Sequence, residues 1–413
     1  MLKVRLHRWR QQSLAWLVFF VIVVDLIGFG IVIPILPFLS PQLGGGTDDV
    51  AFILVSYSVA AAFFAPVWGR LSDRVGRRRI LGICLLGGAA SHFLLAASDA
   101  LWMVYLARAV AGVMAGSIPV ATAVIADASS PDQRSRAMGL IGRAFGVGLI
   151  LGPVIGGLLA RNDNDFTLPC IVAGVLSGMA ALMTFTLLPA SQPHRPDEGA
   201  ASTSISLFQL VQRSGFFLFI AQFCLHTCAV SAAIYLFPLW VADGHGWQAQ
   251  EVGLFFGLVG VVMIVTQGNI LGRMTDRFGN VGVLRGAALL FSASLLLSGW
   301  VSGIWAMTLV SLCVFSSATL CLPILNTIAS HLVAPSWRGQ FFGMTASSSA
   351  VGRVLGPLIA AVLLAYSGFA MAWTGMGLLV GLIVIWSLTD GARLEFAATQ
   401  SIPESAQPLA RDA

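Results

Sequence analysis

The strongest constraint on this chain is a succession of apolar stretches, each long enough to cross a bilayer as a helix and each closed by a short polar loop. A spanning helix needs about 20 mostly apolar residues at a rise of 1.5 Å per residue. Twelve such segments can be read, at 15–37, 50–69, 80–98, 101–126, 137–160, 167–189, 215–241, 251–271, 284–302, 304–331, 341–365 and 369–389. In hydrocarbon a backbone must satisfy its own polar groups, so long apolar segments of this kind take the form of helices. The expected fold class is therefore an all-α integral membrane protein with twelve transmembrane helices. Composition excludes a soluble globule, because charged residues are 10% of the chain where a soluble domain carries about 25%. The basic start, MLKVRLHRWRQQS, precedes an apolar segment too long for a signal peptide and without a small-residue cleavage site, so it reads as leading into a retained first span.

Short loops rich in Lys and Arg stay cytoplasmic. Lys3, Arg5, Arg8 and Arg10 precede span 1, and Arg70, Arg74, Arg77, Arg78 and Arg79 lie around the loop after span 2. Arg134 and Arg136, then Arg195 and Arg213, follow spans 4 and 6. Arg273, Arg277 and Arg285, then Arg338, then Arg393 and Arg411 follow spans 8, 10 and 12. The opposite loops hold Arg161 as their one basic residue. Both termini are expected to be cytoplasmic. The net charge of +5 is on this reading a topology signal, since a nucleic-acid binder would spread it over a polar surface; no nucleic-acid partner is expected.

The loop Gly69–Leu81, GRLSDRVGRRRIL, returns 203 residues later as Gly272–Leu284, GRMTDRFGNVGVL. Pro119 and Pro323, Pro131 and Pro335, Arg134 and Arg338, Gly139 and Gly343, and Gly152-Pro153 and Gly356-Pro357 repeat at an offset of 204. Six spans per repeat with one orientation give parallel halves related by an axis along the membrane normal. The expected organisation is a six-helix bundle at 1–189, a cytoplasmic linker at 190–212 rich in Pro, Ser and charge, a second bundle at 213–390 and a cytoplasmic tail at 391–413. The six cysteines sit in apolar segments and read as small buried hydrophobes. Cys224 and Cys228 share a helix face but His226 points elsewhere, so no metal site is read there.

Four motifs lie in order on these spans. They are Asp25-x-x-Gly28-x-Gly30-x-x-x-Pro34-x-x-Pro37 on span 1; Gly69-Arg-Leu-Ser-Asp73-Arg74-Val-Gly76-Arg77-Arg78 after span 2; Arg108-x-x-x-Gly112 on span 4; and Gly148-x-x-x-Gly152-Pro153-x-x-Gly156-Gly157 on span 5. With them the whole chain resembles the major facilitator superfamily, and within it the twelve-span drug:proton antiporters that include tetracycline exporters. The resemblance implies proton-coupled efflux of small amphipathic compounds or drugs by alternating access, an antibiotic-resistance role, and residence in the bacterial inner membrane. It departs from the pattern at Ala111, where glutamine is frequent, and in lacking acids in spans 3 and 9, where Ser91 stands near the span-3 position; tetracycline itself is thus not the expected substrate.

Independently of the resemblance, Asp25 lies near mid-membrane, where insertion of a carboxylate costs about 2.5–3.5 kcal/mol. It reads either as a proton-binding group facing a cavity or as a structural cap on a Gly-loosened helix. Arg108 is a second buried charge, read as the partner that tunes Asp25 in the manner of the family, or as an arginine snorkelling outward. Spacing-four glycines let span 5 approach its neighbours closely, while Pro153 removes a donor and bends it; the resemblance makes this the motif of exporters. Asp73, Arg77 and Asp127, with Gly69, Arg74, Gly76 and Arg78, look by resemblance like a charge cluster that latches the halves. Asp276 and Arg277 repeat it in weaker form. Substrate contacts are expected near mid-membrane among Phe29, Tyr57, Arg143, Gln222, His226, Gln267, Asn326 and Arg353, each with an interhelical hydrogen bond, a lipid-facing ring or a headgroup contact as its plainer role. Protons are the expected coupling ion, without cofactor or metal, and the partners are a small molecule and lipid, with the monomer as functional unit. An exporter of a native metabolite such as a siderophore, or a proton-coupled uptake carrier, is the alternative. No nucleophile constellation points to an enzyme, and no G-x-x-x-x-G-K-[ST] occurs for ATP-driven export.

Overall fold

The computed structural model describes residues 2–128, 131–160, 165–189, 216–332 and 338–391. The expected linker and nearly all of the tail, together with Arg161, lie outside them. Everything regular among the described residues is helical: α1 (Leu2–Val32), α2 (Leu36–Gln42), α3 (Thr47–Val75), α4 (Arg77–Ala96), α5 (Leu101–Val113), α6 (Ser117–Ala128), α7 (Pro131–Leu159), α8 (Thr167–Leu187), α9 (Phe216–His245), α10 (Ala249–Val265), α11 (Leu271–Ser298), α12 (Ile304–Leu332) and α13 (Arg338–Trp386). A π-helical turn, Thr266–Ile270, joins α10 to α11, and a second, Ser387–Gly391, ends the described chain.

Nine apolar stretches among the described residues are long enough to cross a membrane as helices, and Gly146–Leu159 and Ala249–Val265 are shorter apolar helices. One of the nine, Phe341–Thr389, holds two consecutive segments of the sequence. The backbone leaves the helix at Gly279 in α11, with φ of 71°, and at Gly368 in α13, with φ of 73°. With these breaks the helices follow the segments read from the sequence, except that the first and fourth segments are each split, between α1 and α2 and between α5 and α6. Gly76, which separates α3 from α4, has φ of 106°, a conformation that costs glycine little and other residues much. Gly279 is its copy 203 residues on, so the repeat extends to backbone geometry.

Two apolar cores follow the two halves. One gathers residues from Val18 to Leu188 and takes in Ala249; the other gathers Phe219 to Trp386 and takes in Val50 and Ala51. Small residues set the helix spacing, as expected where lipid removes the hydrophobic drive between helices. A Cβ on Gly148 would lie 2.3 Å from the Leu26 side chain, and one on Gly152 would lie 2.6 Å from the Gly30 Cα, so α7 and α1 touch backbone to backbone. The second half repeats the device: Cβ atoms on Gly352 and Gly356 would meet the carbonyls of Cys224 and Cys228 on α9. Four of the six cysteines, Cys84, Cys170, Cys228 and Cys321, are buried.

The halves meet along α7 and α10, from the helix ends remote from the Gly69–Leu81 loop to mid-helix, where Gly260 lies against Ile150. Gly157 of α7 lies against the backbone of Ala249, Gln250 and Gly253 on α10. Nearby, the Tyr235 hydroxyl of α9 donates to the Thr47 carbonyl at the start of α3 at 3.0 Å.

Candidate functional site

Asp25 sits on α1, held by two serines from two other helices. Ser117 Oγ donates to Asp25 Oδ2 at 2.8 Å, and Ser177 Oγ on α8 donates to Oδ1 at 3.4 Å. The first contact depends on a feature the hydropathy pattern does not show. The fourth segment is not one helix but two, because α5 stops at Val113 and α6 starts at Ser117. Gly116 at the break packs where a Cβ would lie 2.6 Å from Trp68 and 2.7 Å from Cys84 Sγ. The Trp68 indole N–H donates to the Val113 carbonyl at 2.5 Å and so satisfies an acceptor that the interrupted ladder leaves open. Asp25 is thus hydrogen-bonded at the N-terminus of a half-helix inside the membrane segment, where the helix dipole favours negative charge. The sequence signal was present in Gly116-Ser117-x-Pro119, since serine and proline at these positions mark a helix start. Ser177 comes near because Gly28 has no side chain: a Cβ there would lie 3.1 Å from Ser177 Oγ.

Arg108 does not pair with Asp25. Its guanidinium lies over the Tyr57 ring at 4.5 Å and is 5.9 Å from the centre of the Phe29 ring, within the range of cation–π attraction. The two rings are 5.4 Å apart. The expected pairing fails for a geometric reason. Phe29 is one helical turn beyond Asp25, and Arg108 is nine residues before Ser117 on the fourth segment, so the cation and the carboxylate stand at different depths. Arg108 is only 4% exposed, and its Nε has no hydrogen-bond partner.

The other predicted residues fall into separate places. Arg353, on α13, is exposed and lies within electrostatic reach of Tyr57 in the opposite half. Arg143 is exposed on α7, and Asn326 is half-buried on α12. Gln267 lies in the π-helical turn, where its Nε2 donates to the Thr319 carbonyl at 2.9 Å. Gln222 and His226 are both buried on α9, and His226 stands 6.0 Å from the Phe291 ring inside the second core. A cleft of about 340 Å³ opens between α3 and α13, lined by Val59, Phe63, Val351 and Leu355. Helical spacing puts its α3 wall on the side away from Tyr57, facing the surroundings rather than Arg108.

The charged loop forms a cluster. Arg77 Nη1 is 2.5 Å from Asp73 Oδ1 and 2.7 Å from Ser72 Oγ, and its Nε donates to Asp127 Oδ2 at 3.1 Å. It ties the α3–α4 corner to the end of α6, and all four residues belong to the first half. Arg78 donates to the Phe185 carbonyl on α8. In the second half Arg277 lies 5.4 Å from the Phe278 ring, while Asp276 is exposed. Gly148, Gly152 and Gly156 face α1, whereas Gly157 and the Pro153 carbonyl face α10, so one motif presents one side to its own half and the other across the interface.

Stacked apolar helices in two similar halves, with an acid set at a helix break inside the membrane segments, have the make-up of a membrane transporter. The sequence profile of the Major Facilitator Superfamily matches residues 18–270 and 269–407. The chain is 30% identical to the class C tetracycline resistance protein of Escherichia coli, over 90% of this chain and 95% of the relative. It is also 30% identical to solute carrier family 67 member A1 of Homo sapiens, over 85% and 87%. Among solved structures, the human organic anion transporter MFSD10 (TETRAN) superposes with a TM-score of 0.70 and 24% identity, over 91% of this chain and 99% of that one. The chain belongs to the Major Facilitator Superfamily and is a secondary transporter, a multi-pass protein of the bacterial inner membrane.

Proposed function

We propose that this protein is a proton-coupled antiporter that exports small amphipathic compounds by alternating access, with twelve spans and both termini cytoplasmic. The observation that carries the reading is Asp25, a carboxylate in the apolar first segment whose two hydrogen bonds come from Ser117 and Ser177, hydroxyls that suit either protonation state. Asp25 takes the proton. The antiporter motif supports exchange over leak, because Gly157 and Gly253 seat α7 against α10 without room for a side chain. With cytoplasmic termini the sealed end is the outer one, as a state open to the cytoplasm requires. Asp73, Arg77 and Asp127 hold the inner corner of the first half, and their rearrangement accompanies closure on that side. Export of a native metabolite and proton-driven uptake are the readings left if exchange of drugs fails.

Asp25→Asn in proteoliposomes tests the proposal, because asparagine keeps a hydrogen-bonding side chain of similar size and loses the titratable proton. Substrate counterflow is expected to persist while flux no longer responds to a pH gradient. Flux that follows the gradient in the variant as in the parent rules out Asp25 as the coupling group.

A further inference from the structure

We infer that the transported compound is an organic anion, a carboxylate or sulfonate on an aromatic body, held by Arg108 and Arg353 with its ring against Phe29 and Tyr57; this rests on the transport reading above. Three observations carry the inference. Arg108 is 4% exposed with Nε unpartnered, and a guanidinium taken out of water without a counter-charge is costly. Arg353, on α13 of the opposite half, lies within electrostatic reach of the same tyrosine. Among the described residues neither arginine has a carboxylate within ion-pair distance; the ion pairs formed are those of Arg77 with Asp73 and Asp127. Asp25, the acid of this region, is engaged by Ser117 and Ser177 one turn away. A buried guanidinium against a ring pair, with a second within electrostatic reach of the same tyrosine, suits a planar anion, since guanidinium groups fork onto carboxylate or sulfonate oxygens.

The test uses three probes with one ring system, a naphthoate, its neutral naphthamide and a naphthyl-trimethylammonium. Binding to the purified full chain is measured by equilibrium dialysis, and exchange by counterflow in proteoliposomes. Naphthoate is expected to bind best and the ammonium worst. Arg353→Gln, at an exposed position, and Arg108→Gln should each weaken naphthoate binding roughly ten- to hundredfold, as loss of a charge-assisted hydrogen bond does, and leave naphthamide unchanged. Equal or better binding of the ammonium overturns the proposal, as does a naphthoate preference that survives Arg353→Gln. If Arg108→Gln acts only while Asp25 is intact, Arg108 serves the carboxylate and the proposal falls. Naphthoate that binds but does not exchange supports the anion site and overturns the transport reading.

Discussion

Gly156 and Gly157 are neighbours in one motif, yet the structure assigns them opposite consequences. A Cβ on Gly157 would lie 2.9 Å from the Ala249 carbonyl oxygen, 3.0 Å from that of Gln250 and 3.1 Å from the Gly253 Cα. All three are backbone atoms on the facing half, so no rotamer change relieves the contact. Overpacking of this kind costs about 1–3 kcal/mol. In the proposed cycle the remote ends part when the cavity opens outward, and the cost then falls on the closed state alone. Gly157→Ala should therefore lower the closed-to-open ratio by roughly 5- to 150-fold. Gly156→Ala places its Cβ 2.3 Å from the Ile31 carbonyl oxygen within its own half, so it should lower the thermal stability of the protein and leave that ratio alone. Gly178→Ala meets nothing within 4 Å and serves as the neutral control. Spin labels at the exposed Asp48 and Asp243, one in each half, placed in a background with the native cysteines changed to alanine, report the opening by pulsed electron resonance. The long-distance population should grow in Gly157→Ala alone. An unchanged distribution there, or an equal growth in Gly156→Ala, would refute the argument that the motif divides its faces between one half and the interface.

Two further outcomes follow from the same contacts. Tyr235→Phe removes the one hydroxyl bond from α9 to the Thr47 carbonyl; at about 0.5–1.5 kcal/mol it should open the same label pair less than Gly157→Ala does, and a larger effect would assign the seal to this bond. Asp73→Asn takes one carboxylate from Arg77 while leaving every basic residue that sets topology, so thiol labelling of the loops should report unchanged orientation as transport is lost; full transport would remove the loop cluster from the cycle.

The fold was legible because lipid imposes a length on each segment, and the repeat was legible because Gly76 and Gly279 share a backbone conformation that favours glycine. Asp25 stood out as an acid in an apolar run. What surrounds it did not, since contacts between segments distant in sequence decide that. Ser117 and Ser177 are 92 and 152 residues away. The break between Val113 and Ser117 was hidden because hydropathy averages across three non-helical residues, although glycine, serine and proline mark it. Arg108 and Asp25 were expected together because each is a charge in apolar surroundings. Depth along the helices, which sequence spacing alone does not align between segments, separates them. Gln222 and His226 show the same limit: a polar residue in an apolar helix announces itself, but not whether its face meets a cavity or, as here, the second core.

The two halves share their packing and not their chemistry. At the repeat offset of 204, Gly148 and Gly152 answer to Gly352 and Gly356, and each pair admits the first helix of its own half. Ser117 answers to Cys321 and Arg108 to Leu312. Met114–Gly116 answers to Ala318–Leu320, which has no glycine, and α12 runs unbroken there. A half-helix with no acid to receive would expose backbone donors for nothing, so the break and the carboxylate belong together. The glycine contacts are needed twice because both halves must pack tightly in lipid. The charge is needed once, and its neighbours Phe29, Tyr57 and Arg108 lie in the same half. The second half brings Arg353, whose repeat partner in the first half is Leu149. A rocking motion of one half against the other therefore moves Arg353 relative to Arg108, and with it the spacing of the two cations that a bound anion would bridge.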